Sequence, residues 1–153
     1  MIKLVCVGKM KDQHLKAVQD DYLKKCRRYH PQSLIEVAEA KSKSMEISKI
    51  KQEEADNILK VIQPNDRVIA LSLDQPQLDS VGFSKLLYES IDIGQTVVFV
   101  IGGSWGLDQK VLDRAEVILS LSAWTLPHLL CRVVVLEQIY RAHGIFRQSA
   151  YHK

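Results

Sequence analysis

Thr96-Val97-Val98-Phe99-Val100-Ile101-Gly102-Gly103-Ser104-Trp105-Gly106-Leu107 is the stretch on which the fold turns. Its first six residues are all β-branched or aromatic, with no polar alternation, which is the pattern of a strand buried on both faces. The glycine cluster then ends the strand and leads to Asp108, a residue type that caps helices. Working outward, four further strand patterns occur, at residues 2–7, 33–38, 67–73 and 117–120. Helix-period segments separate them. Asp12 can cap a helix reaching about residue 29, stopped by Pro31. Ile47, Ile50, Ile58, Val61 and Ile62 mark an amphipathic helix that ends before Pro64. Asp79 or Ser80 starts another helix holding Phe83, Leu86 and Leu87, and a last helix runs from Pro127 to about Ala142. Strands alternating with helices predict an α/β fold in which a five-stranded parallel sheet carries helices on both faces. The polar stretch at residues 41–44 has neither period and reads as a flexible loop.

With 153 residues, one domain spanning 1–153 is expected, and no internal repeat or linker divides it. The balance of 46% apolar and 25% charged residues excludes a disordered or collagenous chain. No apolar run approaches the roughly 18 residues a membrane span requires, and the first residues are too lightly charged for a signal peptide. Cys6, Cys26 and Cys131 are odd in number and far apart, with no C-x-x-C pair. They read as reduced structural thiols in a cytoplasmic protein that uses neither disulfides nor metal. The net charge of +3 is small, but all of it sits in the C-terminal sixth, where Arg132, Arg141, Arg147 and Lys153 face the single acid Glu137.

Parallel sheets bind ligands at the carboxyl ends of their strands. Three segments are therefore the candidate site: the exit from the strand ending near Leu71, the loop after Ile101, and Leu119-Ser120-Leu121-Ser122-Ala123-Trp124-Thr125-Leu126-Pro127-His128. The glycines do not form a dinucleotide fingerprint, because they follow the fourth strand and are spaced G-G-x-x-G. Nor do they form a P-loop, which needs a closing Lys-Ser or Lys-Thr. They suit either close backbone approach to a ligand or a tight turn. His128 and His143 would stand roughly 22 Å apart on one helix and cannot share a metal. Glu137 and Arg141 are spaced for a helix-face ion pair. His128 and Arg132, one turn apart, suit an anionic partner, although His128 could equally serve the helix start.

Four motifs in order carry a resemblance. They are Ile101-Gly102-Gly103-Ser104-x-Gly106-Leu107, Leu119-Ser120-x-Ser122-x-x-Thr125-x-Pro127-His128, Arg132-Val133-x-x-x-Glu137-Gln138-x-Tyr140-Arg141-Ala142 and the terminal Tyr151-His152-Lys153. With the start Lys3-Leu4-x-x-Val7-Gly8-Lys9, they make the whole chain resemble the RlmH family. These are small bacterial SPOUT-class methyltransferases that modify a pseudouridine of large-subunit ribosomal RNA. The resemblance implies a C-terminal trefoil knot, an exception to the usual unknotted topologies. It also implies S-adenosyl-L-methionine (SAM) as cofactor, a homodimer, and methyl transfer to N3 of pseudouridine in the assembled ribosome.

Carried onto this sequence, the cofactor contacts fall at Leu71, Gly102 and Gly103, and along Leu121, Ser122, Ala123, Trp124, Thr125 and Leu126. The catalytic set falls at His128, Arg132, Arg141, Tyr151 and His152. Of these, His128, Tyr151 or His152 would accept the N3 proton, while Arg132 and Arg141 would hold phosphate or orient the base. The chain departs from the family pattern at Ser72, where an acid is common, and in residues 73–78, which lack the usual glycine. A non-catalytic RNA-binding module of the same fold and a flavodoxin-like small-molecule enzyme are the competing readings. The first would yield no methylated product, and the second would tolerate loss of the tail.

Overall fold

The structure, a computed structural model, describes residues 1–41, 46–149 and Tyr151. Most of the expected loop at 41–44, together with His152 and Lys153, lies outside the described residues. Ten elements alternate: β1 (Ile2–Val7), α1 (Gln13–Arg27), β2 (Gln32–Val37), α2 (Ile47–Leu59), β3 (Arg67–Leu71), α3 (Ser80–Ile91), β4 (Val97–Ile101), α4 (Gln109–Arg114), β5 (Val117–Leu119) and α5 (His128–Phe146). Asp12, Asp79 and Asp108 cap α1, α3 and α4 through their carboxylates, as their positions in the sequence predict.

The five strands form one sheet in the order β2-β1-β4-β3-β5, every pair parallel. Alternation along each strand divides the core in two. Ile2, Leu4, Cys6, Ile69, Val97, Phe99 and Ile101 face Leu23 of α1, Phe83 and Leu87 of α3, and Val135, Leu136 and Ile139 of α5. Val5, Val7, Val68, Ala70, Val98 and Val100 face Ala55 and Ile58 of α2 and Val111 of α4. Burial on both faces is what the unbroken apolar runs demand.

Two strands stop short of their sequence bounds because their ends hydrogen-bond to each other across the loops. Ser72 N–H donates to Leu119 O at 2.9 Å, and Ser120 N–H donates to Pro76 O at 3.0 Å. The Ser120 hydroxyl donates to Ser72 O at 2.6 Å and accepts from Gln75 N–H at 3.0 Å. Residues 72–76 thus clasp the chain as it leaves β5, an arrangement consistent with the knotted path the resemblance implies. From there the chain crosses the carboxyl ends of the strands. It enters α5, which runs back between α1 and α3.

Candidate methyl-donor site

The clasp brings the exits of β3, β4 and β5 around one cavity of about 920 Å³, within the range of small-molecule and cofactor sites. Leu71, Gly102 and Gly103 line it, as do Leu121, Ser122, Trp124, Thr125 and Leu126 from the crossing loop, and His128 closes one side. Ala123 belongs to the same loop but is exposed rather than lining. Three segments distant in sequence therefore meet at one place, and His128 stands with them.

Backbone shape does much of the building. Gly106 has φ of +77° and donates its N–H to Gly103 O at 3.1 Å, which folds residues 103–106 into a tight turn. A Cβ on Gly102 would lie 2.8 Å from the Gly106 carbonyl carbon, so no larger residue fits without moving backbone. In the crossing loop the Ser122 hydroxyl accepts from Trp124 N–H at 3.0 Å. This turn leaves Trp124 79% exposed at the cavity mouth, and Trp105 is exposed there too. Lys51, Asp74 and Cys131 also line the cavity, and sequence periodicity offers no signal for any of them.

His128 begins α5 without capping it. Burial depresses its pKa below the ordinary histidine value; the nearby Arg132 charge acts the same way, and Glu39 opposes them. The imidazole is accordingly neutral at neutral pH and able to take a proton. Arg132 differs from expectation. It is 0% exposed, and its guanidinium donates to Glu36 Oε1 at 2.8 Å, Val7 O at 2.7 Å and Gly8 O at 2.8 Å. A phosphate-holding role does not fit a cation sealed in the core and already engaged. Arg132 instead ties the start of α5 to the ends of β1 and β2, beneath His128.

Arg141 makes the helix-face pair predicted for it, donating from Nε and Nη2 to Glu137 Oε1 at 3.0 and 2.6 Å. Tyr151 folds back onto this pair. Its hydroxyl donates to Glu137 Oε1 at 3.2 Å, its ring meets Tyr140 edge-on, and the Arg141 guanidinium lies 4.9 Å from its centroid. Burial, with Tyr22 and Glu137 adding to it, pushes the phenol up to about 12, so Tyr151 stays protonated at neutral pH and is no proton acceptor. Glu137 is nine residues beyond His128 on α5, roughly 13 Å along the axis. Within one chain, then, Tyr151 and Arg141 stand apart from the cavity.

Glu54 is the site-adjacent residue that sequence reading misses. It is 6% exposed, on the inner face of α2, and its carboxylate abuts Gly103. A signal exists, since Ile50, Glu54 and Ile58 are spaced i, i+4, i+8 and put a carboxylate on an otherwise apolar stripe. Among the described residues no group of three His, Cys, Asp or Glu could hold a metal, and no helix is long and apolar enough to cross a membrane.

Residues 1–152 match the family model described as "Predicted SPOUT methyltransferase". The chain is 43% identical to the ribosomal RNA large subunit methyltransferase H of Streptococcus equi subsp. zooepidemicus, with 99% of each chain covered. It is 44% identical to the protein of that name from Clostridium botulinum, again over 99% of each. For the Caldicellulosiruptor saccharolyticus protein the identity is 37% over the full length of both. Among solved structures, a probable methyltransferase from Bordetella pertussis Tohama I superposes with a TM-score of 0.57 at 13% identity, covering 93% of each chain. A probable methylase family protein from Haemophilus influenzae gives 0.57 at 15% identity, covering 99% of this chain and 70% of that one. Those two likenesses concern the fold.

Proposed function

The chain belongs to the SPOUT methyltransferase family, and from that premise we propose that it transfers a methyl group from SAM to N3 of a pseudouridine in large-subunit ribosomal RNA, as a cytoplasmic homodimer. The observation that carries this reading is the cavity itself, in which the β3, β4 and β5 exits converge beside a neutral histidine. The residues present fit a nucleoside-sized donor. Gly102 and Gly103 expose backbone where a side chain would intrude, and the cavity volume matches such a ligand. When bound, SAM supplies an electrophilic methyl on a sulfonium, so no metal is required.

The protein's own residues have three tasks. Leu71, Gly102, Gly103 and the 121–126 loop hold the donor. Positioning of the acceptor behind the methyl group is the main source of rate, because alignment alone can lower the barrier by several kcal/mol. His128 takes the N3 proton of the pseudouridine, the one acceptor that the described part of the catalytic set retains at neutral pH. Arg132 acts through His128, adding its charge to the burial that keeps the imidazole neutral, and holds the start of α5.

Tyr151 and Arg141 lie too far along α5 to reach the cavity of their own subunit. Their contribution to the acceptor site, like that of His152, is therefore assigned to the partner's cavity. Leu129 and Val133 near the start of α5 are half-buried and available for such a partner. Further along the helix, Leu136 is fully buried in its own core, and Tyr140 packs against Tyr22 and Tyr29. The test is incubation of the protein with radiolabelled SAM and ribosomes from a strain lacking the modification, followed by mapping of the label. Label at N3 of one large-subunit pseudouridine is the expected result. RNA binding without any label would leave only the non-catalytic module.

A further inference from the structure

Next to the cavity lies a buried carboxylate that the reaction above does not use. Glu54 occupies the middle of α2, between the core residues Ile50 and Ile58. Ala40 N–H approaches its Oε1 at 3.5 Å, the far limit of a hydrogen bond, and Oε2 has no partner among the described residues. Burial raises its pKa; Glu39 and Glu53 push the same way, while the N–H groups of Ala40 and Gly103 pull against them. A half-satisfied buried carboxylate lowers the stability of the fold that contains it. Its presence on the apolar stripe therefore needs a reason other than stability.

What it touches supplies one. A Cβ built on Gly103 would lie 2.7 Å from Oε2 and 3.0 Å from Oε1, so the carboxylate fills from below the space a side chain at 103 would take. Gly103 is cavity wall on its other side. Its carbonyl accepts from Gly106 N–H at 3.1 Å, which closes the 103–106 turn, while the Glu54 carboxylate packs against Gly103 from beneath.

We propose that Glu54 is a positioning residue for the methyl donor, holding the Gly103 backbone from beneath in the shape that receives it. The inference rests on the donor reading above. Lys51, one turn earlier on α2, lines the cavity directly, so the same helix supports the wall and supplies a cation to it.

The test is calorimetric titration of the wild-type chain and Glu54→Gln with SAM and with S-adenosylhomocysteine, alongside thermal unfolding of both chains without ligand. The amide keeps the bulk of the side chain but removes the charge that sits against the Gly103 backbone. Glu54→Gln is expected to unfold at the same temperature as wild type or higher, and to bind both ligands about ten-fold more weakly. Unchanged affinity, or a fall in unfolding temperature that accompanies the loss, overturns the proposal. A coupled pair of variants checks it independently. Gly103→Ala should weaken binding about ten-fold in the wild-type background and less than about two-fold in Glu54→Ala, where the colliding carboxylate is gone. Equal losses in both backgrounds overturn it. Failure of the wild-type chain to bind either ligand would sink the donor reading, and this inference with it.

Discussion

Arg132 and His128 stand one turn apart on α5 and have opposite fates, which follow from where the helix begins. The Arg132 side chain reaches down to Glu36 and to the carbonyls of Val7 and Gly8, and the structure seals it there. Glu36 is exposed and keeps its solvent when the guanidinium is removed, but the buried carbonyls of Val7 and Gly8 lose their donor, at a typical cost of about 1–3 kcal/mol for each buried group left unsatisfied. Arg132→Leu is therefore predicted to lower unfolding stability by that order, measurable by urea denaturation, whereas loss of an exposed phosphate contact would leave stability unchanged. His128 keeps one side to the cavity. Its pKa lies below the ordinary histidine value, so the neutral, proton-accepting form persists into mildly acidic solution. The predicted kcat of the wild-type enzyme is flat at neutral pH and falls only as the pH drops through that lowered value. His128→Gln should cut kcat by roughly 100-fold or more and abolish the acid limb. A variant with wild-type kcat would remove His128 from the proton transfer.

The elements themselves were largely legible, because each strand and helix announces itself locally. Short runs rich in Val and Ile marked all five strands, and Asp12, Asp79 and Asp108 marked three helix starts. The misjudged ends of β3 and β5 are instructive, since Ser72 and Ser120 have ordinary strand-compatible side chains and turn out of the sheet only because they bond to each other across 48 residues. The burial of Arg132 is hidden from local sequence for the same reason, its partner Glu36 being 96 residues away. Helix α5 shows a further case in His143, which stands in the same C-terminal sixth as the excess positive charge. It is fully buried, stacked on Tyr29 at 5.1 Å and bonded through Nδ1 to Tyr88 Oη at 2.8 Å. Desolvation, with His30 and Arg147 adding to it, lowers its pKa to about 4. Between the unfolded value near 6.5 and this value, the unfolded chain binds a proton that the native state refuses. Native stability therefore falls as pH drops through that window, by up to about 3 kcal/mol. His143→Gln should flatten the dependence of unfolding free energy on pH between those limits; an unaltered slope would place the acid sensitivity elsewhere.

At the scale of the whole molecule, the question is which cavity the tail serves. Tyr151 docks on Glu137 and Arg141, more than two turns of α5 away from the His128 that borders its own subunit's cavity. If the tail completes a partner's site, two different defects can repair each other. Gly102→Val puts a branched side chain against the Gly106 backbone and is predicted to abolish donor binding while leaving the tail intact. Deletion of residues 151–153 leaves the cavity intact and is predicted to retain donor affinity while losing activity on ribosomes by orders of magnitude. Neither homodimer has a complete site. A mixed dimer has one, formed by the sound cavity of the truncated subunit and the tail of the Gly102→Val subunit. Random re-association of equal amounts puts half the molecules in mixed dimers with one working site of two, so about a quarter of wild-type activity should return. If the tail instead served its own subunit, every chain in the mixture would carry one fatal defect. Activity would then stay at the level of the separate variants however long the subunits exchanged.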